Sequence, residues 1–344
     1  MDIRNVKVSL LTVIAGLLAL LSLAGKGWAA SSTPPLPPNT PRANEGPDVT
    51  RAVDCDAGQT IQEAVNNSNP GDTVLVSGAC VENVTVGAGR RSVVIDGQGT
   101  ATVNGPDSTA HTFTIAGQNI TIRRFSSISG GEDGVHIRRE GEATVLGNTI
   151  ENTGRLGIAV VQGSAARIVN NIVQDNPSHG ILVEENGSAR IGFLSFDDTS
   201  PRPNAIRNNG QDGVNVNRSS SAIILSNTIK GNRRHGIGIF RASHADAGDN
   251  TIESNGSHPA PPVTTDGIRV EENSGVNLGS DTGTRITDLP NSTSVNNTNL
   301  GIRGLLNSYA DGRLGTLNGA SGAKSFDFAI PGANNGGCHD SLSP

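Results

Sequence analysis

Aromatic residues are scarce in this chain, 3% of 344 residues, with one Tyr (Tyr309) and one Trp (Trp28). Sugar sites commonly stack rings on aromatic faces. A neutral glycan would find little to stack on, whereas an acidic glycan held by Arg and His stays open. The three cysteines, Cys55, Cys80 and Cys338, have no short paired spacing, which argues against a metal site built from them. Positive charge is also thin: 26 Lys and Arg face 32 Asp and Glu, for a formal charge of −6, and there is no basic run. An acidic chain of this kind is no nucleic-acid binder. Beyond the first thirty residues no apolar run is long enough to span a bilayer.

Residues 1–30 read as a secretory signal: Arg4 and Lys7 form a basic start, Val8 to Ala24 is apolar, and Gly27-Trp-Ala29 offers small residues for cleavage. The alternative is a retained anchor. No Cys follows the apolar stretch, which argues against a lipoprotein. Removing residues 1–29 takes away Asp2, Arg4, Lys7 and Lys26, a net +2, so −6 becomes −8. Residues 31–50 carry six prolines and no apolar period, the composition of an extended linker. These features place the protein outside the cytoplasm, secreted or in a periplasm or cell envelope, with no membrane span once the signal is cut.

What the chain has in quantity is glycine, 44 residues, much of it in one phrase. Gly134-Val-His-Ile recurs as Gly157-Ile-Ala-Val, Gly180-Ile-Leu-Val, Gly213-Val-Asn-Val, Gly236-Ile-Gly-Ile and Gly267-Ile-Arg-Val, with Gly301-Ile-Arg-Gly as a weaker copy. The glycines are 23, 23, 33, 23, 31 and 34 residues apart. A second phrase, Asn-x-Ile, runs between them at Asn148, Asn204, Asn227 and Asn250, with Asn171-Ile-Val as a variant. Self-similarity at this period marks a solenoid. Its Ile and Val positions alternate with variable ones, as in half-buried strands, and the Asn, Gly and Ser between them read as turns. Stacked coils pair each strand with those above and below and pile the aliphatic side chains into columns. Asn at successive turns can bond to its equivalents. At a rise of about 4.8 Å per coil, roughly ten coils make a rod about 45–50 Å long.

Over about residues 54–305 this pattern resembles the right-handed parallel β-helix, the superfold of pectin lyases, and in detail its Asn- and Gly-rich repeat proteins. The resemblance implies an all-β, single-stranded right-handed parallel β-helix with three short strands per coil. It leaves function open, because lyases, hydrolases, esterases, epimerases, adhesins and inert scaffolds share the superfold. The domain is expected over 51–306. Thr60-Ile-Gln-Glu-Ala-Val65 forms an amphipathic helix that caps the open N-terminal end, Thr73-Val-Leu-Val76 is the first strand, and residues 307–344 form an irregular cap and tail. Thr60 to Glu63 and Gly71-Asp72 resemble the opening segment of many secreted β-helix proteins. In an exported protein Cys55 and Cys80 are expected to form a disulfide, worth roughly 3–4 kcal/mol in the chain-entropy model.

Candidate chemistry lies in three patterns. The residues just before the repeat glycines read Asp133, Leu156, His179, Asp212, His235, Asp266 and Leu300. Neighbours in this ladder are about 5 Å apart, close enough for Asp to raise a His pKa. His179, Asp212, His235 and Asp266 are the catalytic candidates, acting as base and acid on a uronic polymer. The other reading is that Asp, His and Asn simply suit a turn before a strand. Outward side chains beside the ladder form a polar face of substrate-binding candidates: His136, Asn215 and Arg269 in one row, Arg138, Glu184, Asn217 and Glu271 in the next. Paired carboxylates at Glu184-Glu185 and Glu271-Glu272 raise calcium as a possible ion; no other metal or cofactor is implied.

Insertions supply the third pattern. Two ten-residue insertions fall at the same corner, one with Phe193, Asp197 and Asp198, the other with Asp281, Arg285 and Asp288; a third is Ser257-His-Pro-Ala-Pro-Pro-Val263. Loops on a rigid scaffold are where binding usually lives; the other reading of the paired insertions is neutral drift after duplication of a coil block. No complete polygalacturonase, mannuronan epimerase, pectin methylesterase or pectate lyase signature is present. The expectation is therefore a scaffold or binding protein whose partner is a polysaccharide or cell-envelope component. The alternative is a polysaccharide lyase, epimerase or hydrolase using the His/Asp ladder.

Overall fold

The computed structural model describes residues 48–195, 198, 200–256, 265–279, 297–326 and 338–343. The signal segment, nearly all of the linker, the Ser257–Val263 insertion and the 281–290 insertion lie outside the described residues. Among the described residues, no helix is long and apolar enough to cross a membrane.

Three parallel sheets, of 12, 8 and 10 strands among the described residues and here called sheets A, B and C, form the walls of a solenoid. One regular coil passes Glu142–Leu146 in sheet A, Thr149–Thr153 in sheet B and Leu156–Val160 in sheet C. The repeat phrase sets the register. In sheet C, Val135 pairs with Ile158, Ile158 with Ile181, Ile181 with Val214, Val214 with Ile237 and Ile237 with Ile268. All six are buried in the interior column. Sheet B contributes Ile150, Val173, Ile206, Ile229 and Ile252, and sheet A a column of alanines, Ala143, Ala166, Ala189, Ala222 and Ala245.

The repeat glycines answer to close packing. A Cβ on Gly180 would lie 2.8 Å from the Gly213 carbonyl oxygen and 2.7 Å from Asn209 Nδ2 on the next coil. That asparagine belongs to a second ladder, Asn176, Asn209, Asn232, Asn255 and Asn297, which the Asn-x-Ile phrase did not reveal. The first ladder forms as expected. Asn227 Nδ2 donates to the Ile191 and Leu225 carbonyls and to Asn250 Oδ1, and Asn227 Oδ1 accepts from the backbone and side chain of Asn204.

At the N-terminal end a helix, Ile61–Asn66, buries Ile61 and Val65, with Thr60 as its N-cap accepting from the Glu63 amide. Cys55 and Cys80 are disulfide-bonded beside it. Thr73–Ser77 is not the first strand: Thr50–Asp54 precedes it and pairs with it residue for residue. That segment follows a proline-rich stretch and shows no repeat phrase, but backbone pairing needs neither. Strands also run past Leu306. Tyr309–Arg313 and His339–Ser343 extend sheet A, and Gly322–Phe326 extends sheet C. Cys338 is buried and unpaired.

Candidate functional site

Sheet C turns one row of side chains inward and the next outward, so each Asp-Gly-h-x segment starts with a buried aspartate and shows its fourth residue on the face. Three such segments repeat one arrangement. Asp133, Asp212 and Asp266 each use Oδ1 to accept the backbone N–H of the ladder residue one coil on: Leu156 (3.1 Å), His235 (3.0 Å) and Leu300 (3.2 Å). Each Oδ2 takes the outward residue three places on: His136 (2.7 Å), Asn215 (2.7 Å) and Arg269 (2.8 Å). A further polar residue from the next coil closes on each carboxylate: Arg155, Arg234 at 3.8 Å, and Asn299. These last three were not singled out from sequence, although each immediately precedes the ladder position of its coil.

The predicted ladder is real. Gly157 donates to the His179 carbonyl, Gly180 to Asp212, Gly213 to His235 and Gly236 to Asp266. Its histidines are spoken for. His179 Nδ1 accepts the Asp212 amide at 3.2 Å, and His235 Nδ1 accepts the Asp266 amide at 2.9 Å. An Nδ1 that accepts carries no proton, so the neutral ring holds its proton on Nε2. Burial lowers both His179 and His235; Asp212, and at His235 also Asp266, push these pKa values up, as expected, but the net shift is downward. Burial would raise Asp212, but His179, His235 and Arg234 and the Asn215 hydrogen bond outweigh it and hold the carboxyl low.

The outward rows also form as expected: His136, Asn215 and Arg269 share one register line of sheet C. The structure divides them into two groups, separated by a buried apolar cluster of Leu156, Ala159, Val161 and Leu182. The larger group surrounds a cleft of about 300 Å³ lined by His179, Asn215, Asn217, Arg234, Phe240, Arg241 and Glu271 with Glu272. Phe240 was missed in the sequence. Its ring folds back over Gly238, where a Cβ would lie 2.4 Å from the ring edge, and supplies an aromatic surface in a chain with few aromatic residues. The Oδ1 atoms of Asn215 and Asn217 are buried with no hydrogen-bond donor. Arg269 is turned to Asp266 and Glu271, and Glu184 meets Arg218 at 2.8 Å. The paired carboxylates are thus each engaged by arginine, since Glu185 lies 3.7 Å from Arg218 and Glu272 3.3 Å from Arg241.

The smaller group is His111, Asp133, His136, Arg138 and Arg155. His111 extends the ladder by one coil and was missed because Thr112, not Gly, follows it. His136 Nδ1 is 2.7 Å and His111 Nδ1 3.2 Å from Asp133 Oδ2. Burial would raise Asp133, but both histidines and Arg155 hold it well below the usual carboxylate range. Burial lowers His136 more than Asp133 raises it. His111, Asp133 and His136 bring three ligand atoms within metal-binding reach of one another. The two rings are stacked, however, 3.8 Å apart and 4° from parallel. Their in-plane lone pairs run side by side rather than converging on one ion, and Arg155 already holds the carboxylate.

The first described insertion is closed at its neck by the Arg202 amide on the Gly192 carbonyl, with Phe193 buried and Asp198 paired to Arg202 at 2.7 Å. Asp197 lies outside the described residues.

The family model for the right-handed β-helix region matches residues 64–198 and 193–304. The chain belongs to this β-helix family. It is also similar in structure to a point mutant of the periplasmic alginate epimerase AlgG, at 17% identity over 85% of this chain and 84% of that one, TM-score 0.48. A second likeness is to the A-module of the Azotobacter vinelandii mannuronan C-5 epimerase AlgE6, at 15% identity over 80% and 81%, TM-score 0.40. A third is to pectate lyase Pel9A, at 11% identity over 88% and 77%, TM-score 0.49. Among curated proteins, none matches the chain in sequence.

Proposed function

We propose that this β-helix protein is an exported glycan-binding protein that holds a hydroxyl-rich polysaccharide in the cleft of sheet C. The observation that carries this reading is the pair of buried, donorless amide oxygens of Asn215 and Asn217 at the cleft. A buried acceptor without a donor costs about 1–3 kcal/mol, and sugar hydroxyls are donors of the right kind. Phe240 gives a sugar ring an apolar face, and Arg234 and Arg241 favour an anionic sugar. The Cys55–Cys80 disulfide supports export, as does the leader-like segment. The ladder supports binding over turnover, because the Nδ1 atoms of His179 and His235 are committed to backbone amides.

A glycan array on the purified protein, followed by calorimetry with the best ligand, tests the proposal. Asn217→Leu and Asn215→Leu are expected to weaken binding at least tenfold with the fold intact. Unchanged affinity in both variants would sink the cleft.

A second reading has its own observation. His136 Nδ1 faces Asp133 at 2.7 Å, which leaves Nε2 as a base, with Arg138 near enough to influence the ring. If the protein cleaves or epimerises a uronate polymer, the proton at C5 would go to His136 Nε2, with Asp133 orienting the ring. Ultraviolet absorbance of unsaturated uronides reads lyase turnover, and proton exchange at C5 reads epimerisation. Either activity, if lost in His136→Ala and kept in His235→Asn, would replace the binding reading.

A further inference from the structure

Sheet A carries a feature that neither the repeat nor the ladder points to. Its outward residues in one register line are Glu142, Ala165, Ser188, Ser221 and His244. Three small side chains on consecutive coils stand between two large ones, so the face sinks into a trough of about 500 Å³. From Glu142 to His244 is four coil steps, about 19 Å along the rod at the usual strand spacing. Ala165, Ser188 and Ser221 are exposed and form the floor. Arg167 and Arg190, paired in register on neighbouring coils, form one side.

The far end is formed by His244 and Asp246, and just beyond it His244 is backed by Tyr309, the only tyrosine in the chain. Its ring lies over Gly275, where a Cβ would meet it at 1.9 Å. The hydroxyl reaches back across that coil to His244 Nδ1 at 2.9 Å, and the two rings stack at 5.9 Å. His244 Nε2 in turn faces Asp246 Oδ1 at 3.0 Å, which also accepts from Asn277. A carboxylate only accepts, so Nε2 carries the proton and the Tyr309 hydroxyl is the donor to Nδ1. The ring is held flat yet stays 40% exposed.

We infer that this trough is a second binding site, for a linear uronate-bearing oligosaccharide running along the rod axis. Length and openness suit a chain rather than a compact ligand. Two guanidinium groups one coil apart match carboxylates spaced along a polymer, and guanidinium pairs with carboxylate in a planar fork. Arg167 is bridged to Glu142 at 2.7 Å, but both are about one-third exposed. Such a surface pair is weak, so its guanidinium can turn to a ligand without great loss. Tyr309 gives the terminal sugar a fixed aromatic platform. The site is on a different sheet from the cleft and does not depend on it.

The test uses a galacturonate hexamer, with cellohexaose as its neutral counterpart. Because Tyr309 is the only tyrosine, its ring resonances report on the trough in the unaltered protein. The hexamer is expected to shift them at saturation, to bind at least tenfold more weakly in 0.5 M than in 0.05 M salt as surface charges are screened, and to bind better than cellohexaose. Tyr309→Ala, and Arg167→Ala combined with Arg190→Ala, are expected to lose at least tenfold in affinity. Tyr309→Phe is expected to retain most of it. Asn215→Leu with Asn217→Leu separates the sites: retained Tyr309 shifts in that variant support the trough whatever happens at the cleft. Undisturbed Tyr309 resonances at saturating hexamer, equal binding of cellohexaose, or wild-type affinity in both trough variants would each overturn the inference.

Discussion

His235 Nδ1 accepts the backbone amide of Asp266 at 2.9 Å, and one coil earlier Asp212 Oδ1 accepts the amide of His235 at 3.0 Å. A histidine and an aspartate therefore do the same job in one column: each satisfies the next coil's amide at the point where the chain turns into sheet C. His235→Ala removes the acceptor and leaves a buried N–H unpaired, at a cost of roughly 1–3 kcal/mol. His235→Asn, whose amide oxygen can stand where Asp212 Oδ1 stands in its own coil, is expected to recover most of that. Denaturant midpoints of the two variants measure it; equal midpoints for wild type and His235→Ala would show that the column is not structural.

The pH dependence of stability follows from the same burial. His136, His179 and His235 have pKa values below the ordinary 6.5, with burial as the largest cause. As pH falls through 6.5, the unfolded chain takes up protons that the folded chain refuses, so stability drops until the folded pKa values are reached. Asp72, Asp96, Asp133 and Asp212 are lowered from the ordinary 3.8 despite burial, and add a second loss below that value. The melting temperature is expected to fall between pH 7.5 and pH 5.0, and to fall less in His235→Asn. A melting temperature that rises over that interval would contradict the assigned direction.

The asparagine ladders give a larger effect. The Asn227 side chain makes three donor contacts and accepts two, tying its coil to the coils before and after it, all buried. Leucine is close in size but satisfies none of them, leaving the Ile191 and Leu225 carbonyls and the Asn204 amide without this partner. Asn227→Leu is expected to cost at least roughly 3 kcal/mol, since several groups lose a partner at about 1–3 kcal/mol each. Ser226→Ala, at the neighbouring half-buried position of the same turn, removes a single hydrogen bond from the Ser226 hydroxyl to Asp249 at 2.9 Å and is expected to cost no more than about 1.5 kcal/mol. Urea unfolding compares the two.

Much of the fold was legible because backbone pairing forces equivalent residues into columns, and a column writes itself into the sequence as a period. Ile158, Ile181 and Ile237 are in the layer their spacing implies, and the Asp/His order of the ladder carried over intact. Features that depend on side chains folding along the axis were not legible. Phe240 lying over Gly238 and Tyr309 crossing Gly275 to His244 depend on side-chain rotamers that no spacing records. Arg155 reaching back to Asp133, by contrast, had a signal that went unread, its place one residue before the ladder. The second asparagine ladder was visible in principle, since Asn171 and Asn176, Asn204 and Asn209, Asn227 and Asn232, and Asn250 and Asn255 are each five apart. The strands beyond Leu306 were hidden because they lack the Gly-and-Ile phrase, although Ala310, Phe326 and Leu342 still bury side chains in the core.

The glycine at each start of sheet C sets how closely two coils can approach, and this yields a contrast within one residue type. At Gly180 the would-be Cβ meets the Gly213 carbonyl, the Asn209 amide and Ile206, all within 2.8 Å, and two of these neighbours are locked in buried hydrogen-bond networks. The Asn209 amide cannot yield without breaking the second asparagine ladder, nor the Gly213 carbonyl without losing the Ile181 amide, so Gly180→Ala is expected to cost roughly 1–3 kcal/mol or more by overpacking. Gly89 has nothing within 4 Å of its Cβ position and no positive φ. Gly89→Ala is therefore expected to be neutral or to stabilise by about 0.4–1 kcal/mol through the unfolded chain. Thermal unfolding of both variants decides the matter. If Gly180→Ala melted with the wild type, the recurring glycine would need an explanation other than coil contact.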